Sequence, residues 1–253
     1  MTVNISPRRV AKFLITIIIG FTLIHCILQV VDFGLGINKI RVITTLFNFE
    51  RDSNVTTWYS SITLFISSLL LWAIAVAKTR LKDRFSLHWK CLAIIFAFLS
   101  LDEVAMFHER AGQVLDAASS VEFGGWLYFQ WVIIGVPVTL IIALAYLKFI
   151  VHLPAKTRNL FILAGALFVG GALGLEILAG RQESMTTDTN LIYKLITTIE
   201  ELWEKLGVMV FIYALLGYME KYVDRIQFQI GNNRSLLAED RLSPLSDREH
   251  FSK

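Results

Sequence analysis

The 253-residue sequence has little of the charge and proline found in soluble domains. Charged residues make up 18 % of it and there are four prolines, whereas 55 % of the residues are hydrophobic. An average soluble domain has about a quarter of its residues charged. The composition therefore argues against an ordinary soluble domain and indicates a membrane protein.

Several common catalytic motifs are also missing. The sequence has no HExxH, no paired Glu-x-x-His and no Cys/His cluster, so the usual zinc-protease and di-iron signatures are absent. It has no G-x-S-x-G and no Walker-type phosphate loop, which leaves nucleophilic hydrolysis and nucleotide use without support. The two cysteines, Cys26 and Cys91, do not have metal-ligand spacing.

Six apolar stretches have the length of about 20 residues that a helix needs to cross a bilayer. They cover residues 11–32, 56–77, 90–110, 126–149, 159–180 and 196–219. Each must be helical, because lipid offers no hydrogen-bond partner to a bare backbone. The sequence predicts an all-α, polytopic transmembrane bundle over residues 1–221. Residues 222–253 are polar and are expected to form a mostly disordered cytoplasmic tail.

The charges are divided unevenly between the two sides of these spans. With the N-terminus inside, 17 of the 24 Lys and Arg residues fall on the inner side. Net charge is then +10 inside and −7 on the outer side and in the outer parts of the spans. Cytoplasmic loops retain positive charge, so both termini are predicted to be cytoplasmic. The basic face suits anionic lipid headgroups and needs no nucleic acid to explain it.

Two local patterns predict helix packing. The outer loop 33–55 contains apolar Ile43, Leu46 and Phe47, which favour a short interfacial helix. In the fifth span, Ala166, Gly170 and Gly174 recur every four residues. This stripe of small residues predicts the close approach of a neighbouring helix.

Ionisable residues fall within several of the predicted spans. The apolar run from Leu206 to Met219 is too short to cross alone, so the sixth span must extend back through Glu201, Glu204 and Lys205. Counting about 1.5 Å per residue puts the ionisable groups of four spans at the midplane or in the outer half of the membrane. These residues are His25, Asp102, Glu103, Glu109, Glu176, Glu204 and Lys205.

Helical spacing predicts that these acids share helix faces. Asp102 and Glu109 would lie within about 20° of each other on one continuous helix, and Glu200 and Glu204 within about 40°. A carboxylate facing lipid is costly, so the acidic faces are expected to meet inside the bundle. Gln130 of the fourth span would lie at a similar depth.

This cluster has more acids than nearby cations, for which Lys205, Arg110 and Arg181 are the candidates. Protons or a bound cation must therefore balance the charge. An oxygen-rich site with one or two histidines suits a divalent metal ion, from calcium to zinc. The predicted metal or proton site comprises Asp102, Glu103, His108, Glu109, Glu176, Glu200 and Glu204, with His25, Gln130, Glu201 and Lys205 in support.

Simpler roles compete for some of these residues. Glu200, His108 and Glu109 lie near enough to the outer boundary to reach water. Lys205 could form a structural ion pair, and His25 could be a hydrogen-bonded packing residue. Adjacent acids at mid-membrane depth, Asp102 and Glu103, have no such inexpensive explanation.

The segment Phe98-Leu99-Ser100-Leu101-Asp102-Glu103, followed by His108-Glu109, resembles an uncharacterised family of bacterial multi-pass inner-membrane proteins. Phe47-Asn48-Phe49-Glu50 and Thr57-Trp58-Tyr59-Ser60-Ser61 share the resemblance, which covers mainly the first three spans. It implies a bacterial inner membrane and carries over no activity and no catalytic residue. Membrane hydrolases related to ceramidases fit poorly, because His108 alone among five histidines joins the acidic stripe.

Three functions remain open from the sequence. The acidic site could bind a divalent cation or exchange protons. The same ligands could serve a metal-dependent hydrolase or oxidase acting on a lipid or periplasmic substrate, with Glu103 as the general base. The chain could also be a structural or assembly subunit, in which the acids and Lys205 form internal ion pairs.

Overall fold

The computed structural model describes residues 6–35, 41–119, 124–185 and 191–223, and within these ranges the chain is helical and has no strand. The helices are α1 (Pro7–Leu35), α2 (Arg41–Phe47), α3 (Val55–Arg80), α4 (Ser86–Ala105), α5 (Phe107–Ala118), α6 (Val132–His152), α7 (Ala155–Val169), α8 (Glu176–Met185) and α9 (Leu191–Tyr222). A 3₁₀ turn at Gly125–Leu127 precedes α6, and a π-helical segment at Gly170–Leu175 joins α7 to α8. The all-α prediction is confirmed. Most of the predicted polar tail, residues 224–253, lies outside the described residues.

Five segments are long and apolar enough to cross a membrane. They are Pro7–Val31 of α1, the whole of α3, α6 and α9, and Ala155–Met185, which runs through α7 and α8. Helices α4 and α5 together make a sixth if the bent pair is one span. Large apolar side chains are exposed along the outside of the bundle, most densely on α6. This is the surface expected of a multi-pass membrane protein.

The predicted third span, 90–110, is not one helix. Helix α4 ends at Ala105, Met106 has left-handed backbone angles (φ 54°, ψ 43°), and α5 leaves at 69° to α4. Asp102 accepts a hydrogen bond from the free backbone N–H of His108 at 3.0 Å, which stabilises the new helix start. The predicted stripe of Asp102 and Glu109 on one helix is therefore wrong, since the two residues belong to α4 and α5.

The boundaries of other predicted elements also differ from those observed. The fourth span was expected at 126–149, but α6 begins only at Val132 and continues to His152. The short helix predicted in the outer loop is present as α2, with Ile43 and Leu46 exposed.

The predicted stripe of small residues is only partly the site of close approach to α9: a Cβ added at Gly170 would lie 3.3 Å from the Trp203 ring, but the tighter contact is at Gly171. A Cβ added at Gly171 would lie 2.8 Å from Cγ of Glu204 and 3.0 Å from the carbonyl oxygen of Glu200. Gly174, a member of the predicted stripe, has nothing within 4 Å of that position. The π-helical segment thus turns Gly171, not Gly174, towards α9, and brings α8 beside the acidic residues of α9.

Candidate functional site

A cavity of about 470 Å³ lies between α4, α5, the π-helical segment, α8, α9 and the loop before α3. Its lining contains nine carboxyl groups but no lysine or arginine from the parts of the chain that the structure describes. The acids are Glu50, Asp52, Asp102, Glu103, Glu109, Glu176, Glu200, Glu201 and Glu204. The acids predicted from separate spans therefore surround a single cavity, and its volume is in the range of small-molecule sites.

A line of side-chain contacts links two of the acids, Asp102 of α4 and Glu176 of α8. Asp102 Oδ2 lies 2.8 Å from His108 Nδ1, and the His108 ring packs edge-on against Trp131, with centroids 5.0 Å apart. The indole Nε1 of Trp131 donates to Glu176 Oε1 at 2.7 Å. Asp102 and Glu176 are thereby held in place by partners that also line the cavity.

One lysine balances part of the negative charge. The Lys205 side chain is only 1 % exposed, and its ammonium group pairs with Glu201 one helical turn earlier. The same ammonium lies 4.8 Å from the centre of the Phe49 ring, a favourable cation–π position. The other two candidate cations lie elsewhere, because Arg181 stacks over Trp126 and Arg110 is exposed.

Three acids have no such partner. Glu103, Glu200 and Glu204 form no hydrogen bond with any residue that the structure describes, although all three are partly buried. Glu109 of α5 and Asp52 of the loop before α3 line the same cavity as these three acids.

The loop Asn48–Asn54 closes one side of the cavity. The Asn54 amide donates to the carbonyl oxygens of Asn48 and Arg51, at 2.6 Å each. Its side-chain oxygen accepts from the Thr56 backbone N–H at 2.8 Å and so caps α3. The folded loop brings Glu50 and Asp52 to the cavity, and these two acids were not predicted. The capping signal Asn54-Val55-Thr56 is the sequence feature that could have indicated an ordered loop here.

His25 supports this loop and does not line the cavity. It is buried, its ring stacks on that of Phe49 at 4.5 Å, and its Nδ1 accepts from the Phe49 backbone N–H at 3.2 Å. Its Nε2 lies 3.1 Å from Thr198 Oγ1, which itself donates to the Lys194 carbonyl oxygen. Both ring nitrogens are thus engaged, which agrees with the alternative left open by the sequence, that His25 is a hydrogen-bonded packing residue.

The predicted residues are brought together without forming a closed metal cage. All seven main candidates line the cavity, as do Gln130 and Glu201. Within the described ranges, no group of three His, Cys, Asp or Glu residues is placed to hold a metal ion. The carboxyl groups are distributed around the wall and do not converge on one point.

These features define a multi-pass helical membrane protein with an acidic internal cavity. The chain belongs to the family described as a domain of unknown function (DUF8692), whose family model matches residues 13–218. The match includes all the helices that surround the cavity and agrees with the resemblance to an uncharacterised family. No curated protein and no solved structure matches the chain.

Proposed function

We propose that this chain is a cation-binding protein of the bacterial inner membrane, and that its acidic cavity binds a divalent cation or exchanges protons. The observation that carries the proposal is the cavity lining, in which nine acids come from four helices and one loop and no lysine or arginine of the described residues is included. The one buried lysine beside it, Lys205, pairs with a single acid, Glu201. We infer that the basic end of the bundle faces the cytoplasm, so that the cavity lies towards the outer side of the membrane.

The charge balance explains why the cavity should take up positive charge. At an effective dielectric constant of about 20, two like charges about 4 Å apart repel by roughly 4 kcal/mol. Lys205 pairs with Glu201, and His108 would compensate Asp102 if it is protonated. The remaining acids, above all Glu103, Glu200 and Glu204, form no ion pair of their own within the described chain, and the single positive charge of Lys205 cannot balance all of them. Protons or an external cation would supply it.

The spread of the carboxyl groups favours an exchangeable ion over a resident metal. An ion that keeps part of its water shell can be held by carboxylates on several walls. A metal-dependent hydrolase or oxidase needs three ligands at one point, an open fourth position and a base such as Glu103. The described residues do not present such a set, so the enzyme is the second candidate.

A stability titration tests the proposal. Purified protein, stripped of metal with a chelator, would be unfolded thermally in detergent across pH 5 to 8, with and without Mg²⁺, Ca²⁺ or Mn²⁺. Because ionised acids repel in the folded cavity, stability should fall as the pH rises. A divalent cation should restore it at the higher pH. Glu204→Gln and Glu103→Gln should each weaken both responses.

Glu220→Gln provides the matched control, because Glu220 is an exposed acid of α9 at the basic end. The stability of this control should depend on pH and on divalent cations in the same way as that of the unaltered protein. If Glu204→Gln and Glu103→Gln change the melting temperature but leave the pH and cation responses intact, the acids have a structural role and the proposal is wrong.

A further inference from the structure

A groove at the other end of the bundle is lined by both basic and apolar side chains. It has a volume of about 460 Å³ and lies between the start of α4 and the last turns of α6. Arg84 and Phe85 form one wall, and Leu147, Lys148 and Val151 form the other. Leu147 and Val151 are exposed on the outer surface of the bundle. The groove therefore opens where lipid meets the protein.

The Arg84 guanidinium is held in place by a histidine and an aromatic ring. Its Nη2 lies 3.2 Å from His152 Nδ1, and its carbon atom Cζ lies 4.6 Å from the centre of the Phe85 ring. These contacts orient the planar group but leave other N–H donors unused. A fixed guanidinium is well suited to bind a phosphate through two parallel hydrogen bonds.

The groove also lacks an internal anion. Asp83, the acid nearest to it in the sequence, is engaged with Lys78 at 3.6 Å and with the Phe85 backbone N–H at 2.8 Å. Neither Arg84 nor Lys148 forms an ion pair with a carboxylate in the described parts of the chain. Two cations thus border one groove whose lining, as far as the chain is described, contains no carboxylate.

We propose that this groove binds one anionic phospholipid, with its headgroup phosphate between Arg84 and Lys148 and an acyl chain along Leu147 and Val151. Charge complementarity selects the phosphate, and the exposed apolar wall selects a lipid over free phosphate. Basic pockets between helices on the cytoplasmic side of a membrane bind such headgroups. The site shares no residue with the acidic cavity, so this proposal is tested independently of the proposed function.

Native mass spectrometry of the full chain in detergent tests the proposal, with phosphatidylglycerol and phosphatidylcholine as the two probes. The unaltered protein should retain one phosphatidylglycerol in preference to phosphatidylcholine. Arg84→Gln with Lys148→Gln should reduce this preference by about tenfold, because both charges next to the phosphate are lost. Arg80→Gln with Lys82→Gln is the matched control. It removes the same charge at the same end, outside the groove, and should change the preference less than about twofold.

Equal losses in the two double variants, or no loss in either, would overturn the site. Lys148→Gln alone covers the case in which the groove variant does not fold, since Lys148 is exposed. It should lower the preference by about threefold. A phosphatidylglycerol with a photoreactive group in its acyl chain should label the peptide that carries Leu147 and Val151. Labelling confined to other helices would contradict the assignment.

Discussion

The two ends of the bundle differ in the sign of their charge and in where the charged side chains lie. At the acidic end, carboxyl groups point inward around a cavity. At the basic end, the cations lie near helix ends and in short loops, most of them exposed, and they outnumber the acids twelve to two in the described chain. These cations are Arg8, Arg9, Lys12, Lys78, Arg80, Lys82, Arg84, Lys90, Lys148, Lys156, Arg158 and Lys221, and the two acids are Asp83 and Glu220.

This difference decides what can neutralise each end. Water and lipid headgroups reach the basic end freely, so most of its charges cost little and contribute little to stability. The charges of the acidic end lie partly inside the protein and must be balanced there. We therefore expect substitutions to have much larger effects at the acidic end than at the basic end.

The two ends also differ in how their interiors are filled. Aromatic side chains fill the interior next to the basic end, where Trp89, Phe149 and Tyr218 pack ring against ring. The acidic end instead has an open cavity between helices that approach at a glycine. The interior next to the basic end is thus filled by aromatic rings, whereas the acidic end leaves room for a ligand.

Loss of Lys205 should produce the largest effect. Lys205→Met removes a buried ammonium and leaves Glu201 and its neighbours without compensation, so we expect a loss of about 3 to 5 kcal/mol in the free energy of unfolding. Lys82→Met, a loss of one exposed cation at the basic end, should cost less than about 0.5 kcal/mol. Chemical or thermal unfolding in detergent measures both values.

A double variant separates the charge effect from packing. Replacing both members of the pair, as in Lys205→Met with Glu201→Leu, should recover part of the stability lost in Lys205→Met, because no unbalanced charge is left at this pair. If Lys205→Met costs no more than Lys82→Met, the two ends do not differ as described.

Gly171→Ala should have the next largest effect. Its Cβ would lie 2.8 Å from Cγ of Glu204 and 3.0 Å from the Glu200 carbonyl oxygen, so the π-helical segment and α9 must separate. We expect the free energy of unfolding to fall by about 1 to 3 kcal/mol. Gly174→Ala is the control. Nothing lies within 4 Å of its Cβ position. Because alanine has a higher helix propensity than glycine, the free energy of unfolding should rise by up to about 1 kcal/mol. Equal melting temperatures for the two variants would contradict the observed close approach.

Asp102→Ala should have a smaller and more local effect. It removes both contacts to His108 at the start of α5, with an expected cost of about 1 to 2 kcal/mol. Hydrogen exchange of the first turn of α5 should speed up, because its backbone N–H groups lose their cap. Asp116→Ala changes an exposed acid near the end of the same helix and should leave that turn protected.

Most of the fold and much of the site could be predicted from hydropathy and charge. Four of the six predicted spans lie within uninterrupted helical segments of the structure. The acids of α4, α8 and α9 meet in one cavity, as predicted. The prediction worked because a carboxyl group facing lipid is costly, so it constrains which helix face turns inward. That constraint acts on each span separately and does not need knowledge of the loops.

Other features depend on contacts that a hydropathy pattern does not contain. The break at Met106 has neither glycine nor proline, and it depends on the Asp102 side chain capping a helix that begins five residues later in the chain. The contribution of Asp52 depends on a loop folded by Asn54. The choice of Gly171 over Gly174 depends on the π-helical segment, which shifts the helix face. Each is a tertiary or capping effect.

Infrared spectroscopy of the chelator-stripped protein at neutral pH tests the central claim most directly, because protonated carboxyl groups have a C=O stretch that ionised ones lack. We expect a clear protonated-carboxyl band at neutral pH, weakened in Glu204→Gln, unchanged in Glu220→Gln and reduced when Mn²⁺ or Ca²⁺ is added. A spectrum without that band, and without any response to the cations, would show that the cavity holds neither protons nor exchangeable cations.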